Sequence, residues 1–172
     1  YDYEWFHITI ADAKTGAILA TANSPSFDPN VRNITNYLDT LISTPFEPGS
    51  TMKTFTYMAA MENGVYDGTE TYKSGVYVTK DGTHIGDWDR NGWGMISYDR
   101  GYALSSNVAV INIINRHMNS MMLRQYFKKL GFGKTTKIEL PNEQSGKIDF
   151  KYETEILNAG FGQGITTTPI QH

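Results

Sequence analysis

The segment Val108-Ala109-Val110-Ile111-Asn112-Ile113-Ile114 constrains this chain more than any other. An apolar run of that kind suits a buried helix, so other residues have to wrap around it. A long helix is expected from about Asn107 to His117. Ser105-Ser106-Asn107 stands directly before it. Ser and Asn are favoured helix caps, which gives the triplet an ordinary structural use. The same residues also place a hydroxyl and a carboxamide at a helix start, where they can relay a proton and hold an amide substrate.

A second serine heads another helix-forming run. Ser50-Thr51-Met52-Lys53 follows Phe46-Glu47-Pro48-Gly49 and leads into Thr54-Phe55-Thr56-Tyr57-Met58-Ala59-Ala60-Met61. In a helix, Ser50 and Lys53 share one face. The helix N-terminus adds free N–H groups and partial positive charge, which favour an oxyanion formed at the serine. A lysine kept unprotonated by a dry or hydrogen-bonded setting can take the serine proton. Ser-x-x-Lys by itself equally fits a capping serine.

Taken in order, Phe46 to Lys53, Asp87-Trp88-Asp89, Gly101 to Asn107 and Gly160-Phe161-Gly162-Gln163-Gly164 through Gln171 resemble the transpeptidase domain of class B penicillin-binding proteins. The resemblance extends from Asp12 to Gln171 and includes Pro25-Ser26-Phe27-Asp28-Pro29-Asn30. It implies a serine acyl-transferase that accepts D-alanyl-D-alanine stem peptides and is acylated by β-lactams. The fold it implies is α+β, an antiparallel sheet flanked by helices, as in penicillin-binding proteins and serine β-lactamases. Ser50 is then the nucleophile and Lys53 the base. Ser105 relays a proton to the leaving group, Asn107 orients the substrate amide and touches Lys53, and Trp88 borders the cleft on the substrate side. No cofactor or metal is implied. The parent protein is expected to be membrane-anchored on the extracytoplasmic face, among cell-wall synthesis partners.

The family carries a third triplet, Lys-Thr/Ser-Gly, on a strand after the Gly-Gln-Gly segment. Lys14-Thr15-Gly16 has that composition but lies between Phe6-His7-Ile8-Thr9-Ile10-Ala11 and Ala17-Ile18-Leu19-Ala20-Thr21, and reads as a hairpin turn. Residues 1–172 are therefore expected to form a partial domain, the first hairpin plus the helical part, with the later strands missing. One oxyanion donor would be absent with them, and the 172 residues alone are expected to be nearly inert. Exposed sheet edges make self-association plausible. A β-lactamase or β-lactam sensor of the same superfamily, and a non-catalytic cell-wall or divisome binding module, are the alternative readings.

Composition excludes other classes. A net charge of −3 argues against a nucleic-acid binder, and zero cysteines exclude disulfides and thiolate metal sites. His7, His84, His117 and His172 share no metal-ligand spacing. Asp87 and Asp89 read as solvated loop residues, and Met118, Met121 and Met122 as core filler. Further helices are expected over Asn33–Ile42, Ser50–Asn63 with Gly64 beyond its end, Ser97–Leu104 and Ser120–Leu130 before Gly131, and one starting near Thr168-Pro169. Pro141 to Tyr152 reads as loop, and Gly160 to Gly164 as a flexible turn.

Overall fold

The computed structural model describes residues 3–172. In chain order, β1 (Phe6–Ala11) and β2 (Ile18–Ser24) form a hairpin, followed by α1 (Thr40–Ser43) and α2 (Met52–Glu62). Four short strands come next: β3 (Thr71–Lys73), β4 (Val76–Val78), β5 (His84–Gly86) and β6 (Met95–Ser97). The helices α3 (Tyr98–Ala103), α4 (Asn107–His117), α5 (Ser120–Lys129) and α6 (Glu153–Gly160) complete the fold. The described residues thus combine helices with three two-stranded antiparallel sheets, β1–β2, β3–β6 and β4–β5.

The apolar run sits at the centre. Val108 to Ile114 of α4 are all buried, and α2, α3, α6 and strands β3 to β5 pack around them. The Ser106 hydroxyl caps α4 by accepting the Ala109 N–H at 2.9 Å. α2 packs on α4, buries Ala59 and Ala60 completely, and ends at Asn63 with Gly64 at φ +67°. α5 begins at Asn119, whose side chain accepts the Met122 N–H at 2.9 Å, and buries Leu123 and Phe127. Leu130 caps it and Gly131 follows at φ +96°. Tyr72 and Tyr98 stack in the core, 5.4 Å between rings at 11°.

Lys14-Thr15-Gly16 forms the β1–β2 turn, with Asp12 Oδ1 accepting the Thr15 N–H at 2.8 Å and Gly16 at φ +74°. Phe6, Ile8 and Ile10 project from β1 largely exposed. Three expectations are corrected. The helix over Asn33–Ile42 reduces to the single turn α1, because Asp39 caps Leu41 and residues 33–39 before it are irregular. Met121 is 65% exposed, on the outer side of α5, while Met118 is buried and Met122 packs partly against the core. A helix, α6, fills the stretch between the Pro141–Tyr152 loop and the Gly160 turn, for which no element was expected. Its first turn is capped by Glu155, whose Oε2 accepts the N–H groups of Lys151 and Tyr152 at 2.7 and 3.1 Å. Gly160 lets it approach α4, since a Cβ there would lie 2.4 Å from Ile114 Cδ1. Near Thr168-Pro169 only a short 3₁₀ turn, Pro169–Gln171, forms. Among the described residues no helix is long and apolar enough to cross a membrane.

Candidate active site

A 3₁₀ turn, Gly49–Thr51, leads directly into α2 and carries Ser50 at the head of the combined helix. Gly49 adopts φ +60°, which lets the chain turn sharply after the buried Pro48. Residues more than a hundred positions away hold this turn. The Gly49 N–H donates to Gly162 O at 3.0 Å, the Gly164 N–H donates to Glu47 Oε1 at 2.9 Å, and the buried Thr56 hydroxyl donates to Gly160 O at 2.7 Å. Phe46 and Thr167 exchange backbone bonds beside them. The glycine-rich segment is therefore a close-fitting brace: a Cβ on Gly162 would lie 2.1 Å from Gly49 O.

Ser50 is exposed, whereas Lys53, one turn on, is only 3% exposed. The Lys53 amine donates to both the carbonyl and the hydroxyl of Ser105, with Nζ 3.0 Å from Ser105 Oγ. Burial lowers its pKa from 10.5 to about 8, with the Asp87 carboxylate pulling the other way. An amine with that pKa is mostly protonated near pH 7 and neutral in roughly one molecule in ten, able then to accept a proton. Ser105 sits at φ +54°, a left-handed conformation that costs energy in a non-glycine residue and turns its carbonyl and hydroxyl towards one amine.

Residues 86–88 grip the turn that carries Ser105. Asn107 Nδ2 donates to Gly86 O at 2.9 Å, the Ser106 hydroxyl donates to Asp87 Oδ1 at 2.8 Å, and Trp88 Nε1 donates to Leu104 O at 3.2 Å. Asn107 therefore bonds to Gly86 where contact with Lys53 was expected. Asp87, read as a solvated loop residue, is 1% exposed and fully committed to hydrogen bonds. Residue type at a Gly-Asp-Trp-Asp loop carries no burial signal, so only the fold could locate it. Trp88 is 74% exposed and tilts against Trp93 at 5.6 Å. Beside it opens a cleft of about 480 Å³ lined by His84, Trp88, Arg90, Asn107, Asn158 and Gln163, among others.

The structure thus joins Lys53 to Ser105 directly, and Asn107 and Trp88 to the neighbouring cleft, with Ser50 exposed one turn before Lys53. An exposed hydroxyl at a helix start, a partly neutral amine and a second hydroxyl in contact with it are the parts of a nucleophilic acyl-transfer site. Lys73-Ser74-Gly75 also has the composition of the family's third triplet. Its Ser74 hydroxyl is engaged in donating to Gly94 O at 2.9 Å and accepting the Trp93 N–H at 2.7 Å, which makes it a structural turn. Among the described residues no three His, Asp or Glu side chains converge on a metal site.

Residues 7–172 match the family model of the penicillin binding protein transpeptidase domain. The chain is 32% identical over 173 residues to penicillin-binding protein PbpB of Mycolicibacterium smegmatis, an alignment covering 94% of this chain and 26% of that protein. It is 32% identical over 174 residues to peptidoglycan D,D-transpeptidase FtsI of Escherichia coli strain K12, covering 94% and 28%. Peptidoglycan D,D-transpeptidase MrdA of Acinetobacter baumannii is 26% identical over 193 residues, covering 95% and 29%. The chain thus spans less than a third of the length of these curated relatives. In fold it is similar to a crystal structure of a peptidoglycan glycosyltransferase from Burkholderia ambifaria, with TM-score 0.83 and 23% identity, covering 97% of this chain and 50% of that one.

Proposed function

Because the chain belongs to the penicillin-binding protein transpeptidase family, and its relatives are of the class B kind, we propose that it carries the acylation machinery of a serine D,D-transpeptidase acting on peptidoglycan stem peptides. The observation that carries this is the Lys53 amine, buried, lowered to about 8 and hydrogen-bonded to Ser105 Oγ at 3.0 Å. Ser50 Oγ attacks the carbonyl of the penultimate D-alanine while neutral Lys53 takes its proton. The resulting oxyanion meets the Ser50 N–H. Ser105, in contact with Lys53, passes the proton to the departing D-alanine amine as the peptide bond breaks. Asn107 holds the substrate amide and Trp88 walls the cleft. An amine of a second stem peptide then attacks the acyl-Ser50 ester, forming the cross-link and returning the proton to Ser50.

Within these 172 residues the Ser50 N–H is the one oxyanion donor assigned, and lacking a second typically costs about 2.7–4 kcal/mol of transition-state stabilisation. The 172 residues alone are therefore expected to acylate poorly, as a partial domain. The full protein is expected to work at the outer face of the cytoplasmic membrane. Strand addition between two copies is expected at the exposed hairpin edge, and a purely monomeric sedimentation profile at high concentration argues against it.

Fluorescent penicillin labelling of the full protein that contains these residues tests the assignment. Covalent labelling is expected for the wild type and none for Ser50→Ala. Equal labelling of both overturns the nucleophile assignment.

A further inference from the structure

The chemistry above gives no part to Asp87, a buried carboxylate close to the site. Both of its oxygens are engaged, and they tie separate segments together. Oδ1 accepts the Ser106 hydroxyl at 2.8 Å and the Val108 N–H at 3.0 Å, and Oδ2 accepts the Gly75 N–H at 2.9 Å. Three donors compensate for removing this carboxylate from water. A fixed negative charge there acts strongly on any cation nearby, because little solvent screens it.

We propose that Asp87 is a positioning residue of the acylation site: its carboxylate locks the Ser105 turn through Ser106 and Val108, and acts electrostatically on the Lys53 amine. This rests on Lys53 being the base. Two titratable side chains feel the Asp87 charge, Lys53 on α2 and Tyr72 on β3. Burial pushes the Tyr72 hydroxyl up to about 12, so it stays neutral over the working range. Arg90 and His84 line the cleft on the solvent side, where water screens them. Lys53 is thus poised between two opposed influences, burial favouring the neutral amine and Asp87 favouring the ammonium. Without the carboxylate, burial acts unopposed and the amine loses its proton at lower pH.

The test is the pH dependence of penicillin acylation in the full protein. Acylation by neutral Lys53 rises with pH along an acid limb. For Asp87→Asn that limb is expected to move to lower pH by about one unit or more, the size of effect a neighbouring charge has, with a lower plateau because the Ser105 turn loosens. Ser106→Ala keeps the carboxylate and removes one of its donors. Its limb should stay at the wild-type position while its plateau falls by about a hundredfold, the lower end of what positioned proton transfer contributes. An unmoved limb in folded Asp87→Asn leaves Asp87 a purely structural residue and overturns the proposal. If Asp87→Asn does not fold, Ser106→Ala decides, and an unchanged plateau overturns the positioning role. Failure of the underlying assignment looks different, since Lys53→Met would then acylate as fast as the wild type.

Discussion

Lys53 Nζ lies 3.0 Å from Ser105 Oγ across 52 positions of sequence, and Ser105 reaches it only by adopting φ +54°. Backbone strain and the proposed proton relay therefore fall on one residue. Ser105→Ala and Ser105→Gly both delete the hydroxyl, and both should slow acylation by about a hundredfold or more. They differ in backbone preference. The glycine variant should be the more stable of the two by about 1 kcal/mol, because it alone adopts the left-handed conformation freely. Urea unfolding midpoints of the pair check this, and equal midpoints would mean the turn relaxes when the side chain is lost.

Lys53 contributes a pH-dependent stability term of unusual sign. Its folded pKa, about 8, lies below the ordinary 10.5, so between those values the unfolded chain binds more protons and stability rises with pH. Below about 8 both states are protonated and the cost of the buried ammonium is fully present. That cost is up to roughly 3 kcal/mol, and less once solvent reaching the site is counted. Lys53→Met should accordingly be more stable than the wild type at pH 7 by about 1–3 kcal/mol, inactive, and of nearly equal stability above pH 10.5. Thermal melts at pH 7 and pH 10.5 measure the difference, and a variant less stable at pH 7 would contradict it.

Gly162→Ala should damage stability and chemistry together. The residue sits at φ +83° and its Cβ would approach Gly49 O to 2.1 Å, a backbone atom that cannot swing aside. A loss of more than about 2 kcal/mol is expected from the combined strain and clash. Displacing Gly49 also displaces Ser50, so residual folded protein should acylate slowly. Denaturant unfolding and labelling on the same sample test both halves.

Trp88→Phe removes the indole N–H from Leu104 O at 3.2 Å but keeps an aromatic wall. At 74% exposure the bond competes with water, so stability should change by less than about 1 kcal/mol. The acylation rate should fall more than the stability does, because Leu104 directly precedes Ser105 and loses one of its anchors. Parallel losses in rate and stability would instead make Trp88 a fold residue only.

Much of this was legible in the sequence where local pattern and tertiary environment agree. α4 announces itself by an apolar run behind a capping Ser-Asn pair, and α5 by the stop at Gly131 after Ser120–Leu130. α6 was hidden because Tyr152 is a poor capping residue and Leu157 and Ala159 are its only fully packed apolar side chains; the cap comes from Glu155 inside the helix. Asn33–Ile42 failed the other way: Asp39 is a real cap, yet it starts a single turn. Within the site, spacing puts Ser50 and Lys53 on one helix and Ser105 and Asn107 at the start of α4, while their proposed roles come from the family resemblance. Asp87 follows from neither, since its burial is created by α4 and the Gly75 turn arriving from elsewhere in the chain.

The contact between Gly162 and Gly49 also sets an order of events during synthesis. The turn carrying Ser50 lacks its Gly162 partner until the ribosome has released more than a hundred further residues and the glycine brace has docked against it. Until then position 50 belongs to an unfinished loop, so the proposed nucleophile is set in place only once most of the surrounding core can form.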